Sequence, residues 1–326
     1  MEKMIIEVFY LIFTLYRNIG KRYNEGDDNS VCSESQKMGD GTMRTYDEMM
    51  KQIMDKAQRD ERIRAVTMEG SRANKNAVHD QYSDFDICYI VTDVRDFTKD
   101  KNWITYFGEL LIMQCPNDWY GQPYDYDSHE NFTYLMQFAD GNRIDLTLID
   151  VRNIAKELLH DEPRIVLLNK DNFRELITIE DEKAFYIKMP SEAEYNNTCN
   201  EFRWISIYVT KGLCRQELYY AKYCYDVTLM KMFMKMLNWK IACDYEFHVT
   251  TGAKSKYLKR FLKEEELERF KNIFPNGAYQ DIWDKLFLIY DYFAENAAYV
   301  AAKLGFFFDA DETKRVRAFL CERKLS

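Results

Sequence analysis

Four histidines, and eight cysteines that stand singly with no C-x-x-C pair or Cys/His cluster at ligand spacing, leave this chain of 326 residues little with which to build a zinc site. At that length two domains can each bury a core without disulfides or a structural metal. Basic excess is also lacking: 54 acidic against 45 basic side chains give a net charge of −9, which repels polyanions and makes nucleic acid a poor main partner. A cationic small molecule suits that balance better. Internal repeats and low-complexity tracts are absent, which excludes solenoids and arrays.

A membrane-spanning run is missing too. Ile5 to Tyr16 is apolar, but Glu7 interrupts it, no small-residue cleavage site follows, and it falls well short of the roughly 20 residues a spanning helix needs. An amphipathic helix on a membrane surface is the other reading of this run, and no stable membrane association is expected. Lys21 to Thr42 is polar and carries Gly26, Asp27, Asp28, Gly39 and Gly41, so residues 1–42 read as an unstructured upstream extension, with Met43 as the functional start. Cys88 and Cys224 lie in apolar, periodic surroundings where buried thiols stay reduced, and the chain is expected in the cytoplasm.

What is present is an ordered succession of elements. Thr45 and Glu48 have capping-box spacing, and Met49, Ile53, Met54 and Ala57 recur at helical intervals, which predicts a helix from Tyr46 to Arg59. Arg64–Glu69 reads as a strand, Phe85–Val91 as a β-rich apolar strand, and Trp103–Met113 as a buried helix. Phe132–Ala139 and Arg143–Ile149 flank Asp140-Gly141-Asn142, which predicts a hairpin. Val151–Leu159 reads as a helix and Arg164–Leu168 as a strand. Past Pro190, a second capping box at Ser191 and Glu194 opens long periodic stretches rich in Tyr, Met, Phe and Lys, the texture of a helical bundle. The expected fold is therefore α+β: a mixed-sheet domain over 43–175, then a helical domain over 190–326.

Chemistry concentrates where the first strand runs into Gly70-Ser71. After twelve residues, Asp84-Phe85-Asp86 opens an apolar strand. Alternation sends Asp84 and Asp86 to one face and Phe85 and Ile87 to the other, so two carboxylates can grip one hard cation. Magnesium is such a cation, commonly completing its shell with water and nucleotide phosphates. Gly70 lets a backbone approach phosphate closely, and Ser71 can donate from amide and hydroxyl. Asp145, within the strand Arg143–Leu148, either completes the metal site or takes the proton of an acceptor hydroxyl. Singly, a Gly-Ser is a turn and an Asp-x-Asp a loop or cap; their order along the chain is what carries information.

In that order they resemble the nucleotidyltransferase superfamily; an enzyme of that fold acting on another small molecule, RNA or a protein is the alternative reading, and the acidic balance weighs against RNA. Glu69-Gly70-Ser71-Arg72-Ala73-Asn74, Ser83-Asp84-Phe85-Asp86, Arg143–Leu148 and Ala221-Lys222-Tyr223 further look like the aminoglycoside 6-adenylyltransferases that inactivate streptomycin, from about Met43 almost to the C-terminus. The resemblance implies AMP transfer from ATP to a streptomycin hydroxyl, an N-terminal nucleotidyltransferase fold, a C-terminal helical domain and a substrate cleft between them. Asp84 and Asp86 match the family's magnesium ligands and Asp145 its third carboxylate; Arg72 joins Gly70 and Ser71 as a nucleotide contact. Lys211, Arg215 and Lys222 are four and seven residues apart, so one helical face could bring them to triphosphate oxygens, although as solvated charges they would need no such role. Acids able to meet a guanidinium or ammonium group include Asp125, Asp127, Glu130, Glu201 and Asp226, and the Trp119-Tyr120 and Tyr124/Tyr126 cluster could stack on one.

Overall fold

The computed structural model describes residues 42–157 and 161–325, so the expectation for residues 1–41 lies outside the described residues. Six strands form one mixed sheet in the order β3-β4-β5-β2-β1-β6: β1 Ile63–Met68, β2 Phe85–Val91, β3 Leu110–Gln114, β4 Phe132–Phe138, β5 Arg143–Asp150 and β6 Ile165–Asn169. The chain divides into two compact units. One comprises the residues up to Val66 with His79–Val151; the other comprises Thr67–Val78 with the chain from Arg152 onward.

In the first unit, helix α1 (Tyr46–Arg59) begins at the predicted capping box, with Thr45 and Glu48 each accepting from the other's backbone N–H. Its Met49, Ile53 and Ala57 are buried at helical spacing. The Tyr89 hydroxyl of β2 donates to the Ile53 carbonyl at 2.6 Å, and Tyr46 stacks on Phe85 at 5.7 Å. β2 and β5 run parallel, β5 and β4 antiparallel. The β4–β5 hairpin turns through Gly141 at φ +92°, a left-handed conformation that favours glycine, and Asp140 is tied to Arg44 Nε at 2.6 Å.

Trp103–Met113 is not a helix. Lys101–Phe107 forms a 3₁₀ stretch, Gly108 at φ +131° ends it, and Leu110–Gln114 pairs antiparallel with β4 as an edge strand. Burial of Ile104 and Phe107, three residues apart, imitates helical periodicity over a stretch too short to fix it. Val151–Asn153 is likewise 3₁₀, followed by a helical turn at Ile154–Glu157; residues 158 and 159 of the expected helix lie outside the described residues.

The second unit is dominated by helices: α2 Glu192–Cys214, α3 Leu218–Tyr223, α4 Met230–Asp244, α5 Glu264–Lys271, α6 Tyr279–Leu304 and α7 Ala310–Leu325, with a π-helical passage at Cys224–Leu229 joining α3 to α4. The Ser191/Glu194 capping box opens α2. Phe202 of α2 stacks on Phe293 of α6 at 3.7 Å, and the buried Tyr195 hydroxyl donates to the Ala297 carbonyl at 2.9 Å. Both contacts draw α2 and α6 into one core with Phe233, Leu237 and Ile289.

Candidate active site

Parallel register decides where the carboxylates of the first unit meet. Asp86 of β2 is the direct partner of Asp145 on β5, so the pleat sends both side chains to the same face, and Asp84 stands immediately before β2. Arg143, two residues before Asp145 on that face, donates to it through Nε at 2.7 Å and Nη2 at 2.8 Å, and its Nε lies 3.7 Å from Asp84. That bidentate bond raises the guanidinium's pKa against the effect of burial, with the charges of Asp145, Asp84 and Asp86 reinforcing it. Asp145 is thus bonded to this cation and Asp84 stands beside it, while Asp86 adds its charge. Asp84 and Asp86 offer the carboxylate oxygens that a hard divalent ion prefers, while Asp145 has both of its oxygens on Arg143.

Sequence reasoning did not single out a second cluster, at the other end of the same two strands. Asp93 follows β2, Asp150 closes β5, and His129 Nδ1 lies 3.5 Å from one and 3.4 Å from the other. Among the described residues, this is the trio of His, Cys, Asp or Glu side chains whose ligand atoms come within 4.8 Å of one another. Asp150 is fully buried and accepts from the Val94 N–H at 3.4 Å. Asp93 is gripped by Arg95 through Nε at 2.9 Å and Nη2 at 2.6 Å, and this pairing holds its carboxyl well below the usual carboxylate range. That pairing is local, within two residues of chain, whereas His129 bridges from the segment before β4 to the end of β5.

Gly70-Ser71 belongs to the second unit. Gly70 takes φ +63° as the chain leaves β1, a left-handed conformation that suits glycine, and opens a short helical turn, Gly70–Ala73, that includes Arg72. The preceding Glu69 accepts from Arg164 Nε at 3.0 Å; Arg164 is buried, and its Nη1 has no hydrogen-bond partner among the described residues. Asn74, also buried, donates to Glu182 at 2.8 Å. A cavity of about 390 Å³ opens beside this turn, with Gly70, Ser71, Phe185, Gly252, Lys256 and Tyr257 among its lining residues.

The expected single face of Lys211, Arg215 and Lys222 does not form. Helix α2 ends at Cys214, Gln216 turns left-handed at φ +58°, and Lys222 falls on α3. Lys211 lies 5.7 Å from the Tyr208 ring, Arg215 is 4.0 Å from Glu217, and Lys222 bonds Asp226 at 3.0 Å and the Pro275 carbonyl at 2.9 Å. Among the proposed acceptor contacts, Asp127 is paired with Lys99 at 3.1 Å and Asp226 with Lys222, while Asp125 receives the Asp127 N–H. Tyr124 is buried and donates to the Glu130 carbonyl; Trp119 and Tyr120 are exposed.

Comparison with known proteins places these residues in a lineage. The family model for streptomycin adenylyltransferase matches residues 43–323. The chain belongs to that family. It is therefore an adenylyltransferase. It is 35% identical over 286 residues to the aminoglycoside 6-adenylyltransferase of Bacillus subtilis (strain 168), covering 86% of this chain and 100% of that one. The aminoglycoside 6-adenylyltransferase of Campylobacter jejuni is 34% identical over 264 residues, 81% of this chain and 91% of that one. A crystal structure of an aminoglycoside 6-adenyltransferase from Bacillus subtilis aligns at 32% identity and a TM-score of 0.44, over 87% of this chain and 100% of that one. The family match takes in both strand-end clusters and the Gly70–Ser71 turn of this adenylyltransferase, and no helix among its described residues is long and apolar enough to cross a membrane.

Proposed function

We propose that this adenylyltransferase moves AMP from ATP to a hydroxyl of streptomycin, the 6-hydroxyl, in the cytoplasm, and so inactivates the antibiotic. The observation that carries the reading is the register pairing of Asp86 with Asp145, with Asp84 two residues from Asp86, on one partly exposed strand face. The aminoglycoside named for its relatives and the net charge of −9 both favour a cationic acceptor over nucleic acid.

Asp84 and Asp86 would hold magnesium, which when bound neutralises charge on the phosphates and favours the leaving group. The acceptor oxygen attacks the α-phosphorus in line, the bond from that phosphorus to the bridging oxygen of the β-phosphate breaks, and pyrophosphate departs with both bonding electrons. Asp145 takes the proton from the attacking hydroxyl on a carboxylate oxygen, with Arg143 fixing the plane of that carboxylate. Gly70, Ser71 and Arg72 receive the triphosphate.

The test is pyrophosphate release by the purified chain with magnesium and ATP, compared across streptomycin, spectinomycin, kanamycin and no acceptor. Release that depends on streptomycin is expected. Release with one of the other acceptors alone, or undiminished turnover in a folded Asp84→Ala variant, would overturn the reading.

A further inference from the structure

We infer that the loop from Gly252 to Tyr257 forms the second wall of the nucleotide's polyphosphate site, with Lys256 as the cation that receives the departing pyrophosphate. This rests on the adenylyl-transfer reading above and concerns a segment that the sequence motifs did not touch.

The cavity of about 390 Å³ beside Gly70 and Ser71 is walled on another side by this loop, and its lining contains Lys256 but none of Lys211, Arg215 and Lys222. Its polar members are of the kind that bind phosphate: a serine hydroxyl, an ammonium group, and two glycines that permit close backbone approach. Phe185 and Tyr257 supply aromatic walls.

The loop is held in an unusual conformation. Gly252, Lys254 and Ser255 take φ of +75°, +53° and +59°, which is unfavourable for the two that carry a Cβ. Asn238 of α4 fastens the loop, donating to Ser255 Oγ at 3.1 Å and accepting from Thr251 Oγ1 at 2.9 Å. A Cβ at residue 252 would stand 2.6 Å from Tyr257 Cδ2, so glycine is what allows the ring its position. The loop is also tied towards the Gly-Ser segment by Arg260 Nη1, which donates to the Asn76 carbonyl at 3.3 Å while its guanidinium sits 4.0 Å from the Tyr257 ring.

Charge pairing separates Lys256 from an earlier candidate. Lys222 is committed to Asp226 and the Pro275 carbonyl. Lys256 is exposed, lies 5.1 Å from the Tyr257 ring, and pairs with no carboxylate among the described residues. An ammonium group in a cavity wall, without an anion of its own, is suited to an anionic ligand.

The test measures calorimetric binding of inorganic tripolyphosphate, with magnesium, to the full chain and to the Lys256→Met and Lys222→Met variants, with adenosine as the probe lacking phosphate. Lys256→Met is expected to weaken tripolyphosphate binding by about tenfold to a hundredfold, as loss of a charge-assisted hydrogen bond does. Its adenosine affinity and melting temperature should stay at the wild-type values, Lys256→Arg should recover part of the loss, and Lys222→Met should bind as wild type. Wild-type affinity for tripolyphosphate in Lys256→Met would overturn the inference while leaving the proposed reaction intact. Equal losses for adenosine and tripolyphosphate would overturn it in favour of a nucleoside pocket. Binding of tripolyphosphate that depends on Lys256, in a chain that adenylylates none of the aminoglycosides, would support the inference and sink the proposed acceptor.

Discussion

Strands β2 and β5 carry acids at both ends, and the two ends differ in exposure and in pairing. At the start of the pair, Asp86 and Asp145 are register partners, Asp84 is 40% and Asp145 19% exposed, and the group shares Arg143. At the far end, Asp150 is fully buried, while Asp93 is clamped by Arg95. Asp145 and Asp150 are five residues apart, an odd number, so alternation also puts them on opposite faces of the sheet. An acid's chemistry on a strand thus depends on the parity of its position and on what stands opposite it. The near end is partly exposed, whereas at the far end Asp150 is closed off from solvent.

Variants at the two ends should separate these roles. The largest effect is expected from Asp86→Asn, which should lower adenylyl transfer by about a thousandfold with the unfolding midpoint nearly unchanged. A variant that loses activity only because it unfolds would erase the distinction between the ends. Asp150→Ala should do the reverse, costing about 2 to 3 kcal/mol of stability in urea titrations by stranding the Val94 N–H and His129, with kcat preserved at temperatures where the protein is folded. Smaller again, Arg143→Gln should lower kcat about tenfold, because Asp145 would keep its charge but lose its fixed plane.

The smallest expected effect comes with a pH signature. Asp93→Asn should cost about 1 kcal/mol at pH 7. Because Arg95 lowers the carboxyl's pKa in the folded protein, that stabilisation is present above the unfolded value near 4 and is lost as pH falls below it. Wild type and Asp93→Asn should therefore converge in stability between pH 5 and pH 2. A difference that persists at low pH would mean that the side chain packs rather than pairs.

The strand end with the candidate carboxylates was legible because the direction of successive strand side chains is a local property, and the hairpin at Asp140-Gly141-Asn142 announces itself by its turn residues. Both capping boxes were legible for the same reason: donor and acceptor sit three residues apart. Arg143 was visible in the motif, but its bidentate hold on Asp145 was not. The edge strand Leu110–Gln114 was misread because its apolar residues suit either period, and only pairing with β4 decides between them. His129, Arg164 and the Gly252–Tyr257 loop gave no local signal, since each matters through a partner far away in the chain.

The sequence by itself determined most of the elements, the order of Gly70-Ser71, Asp84-x-Asp86 and Asp145, and through that order the family. Those features depend on neighbours within a few residues, where backbone geometry ties spacing to direction. Only the tertiary structure decided that Asp86 stands against Asp145, that Lys211 and Lys222 lie on separate helices, and that Lys256 lines a cavity with Gly70. These are contacts between segments tens to hundreds of residues apart, set by how strands pair and helices pack, which no local spacing encodes.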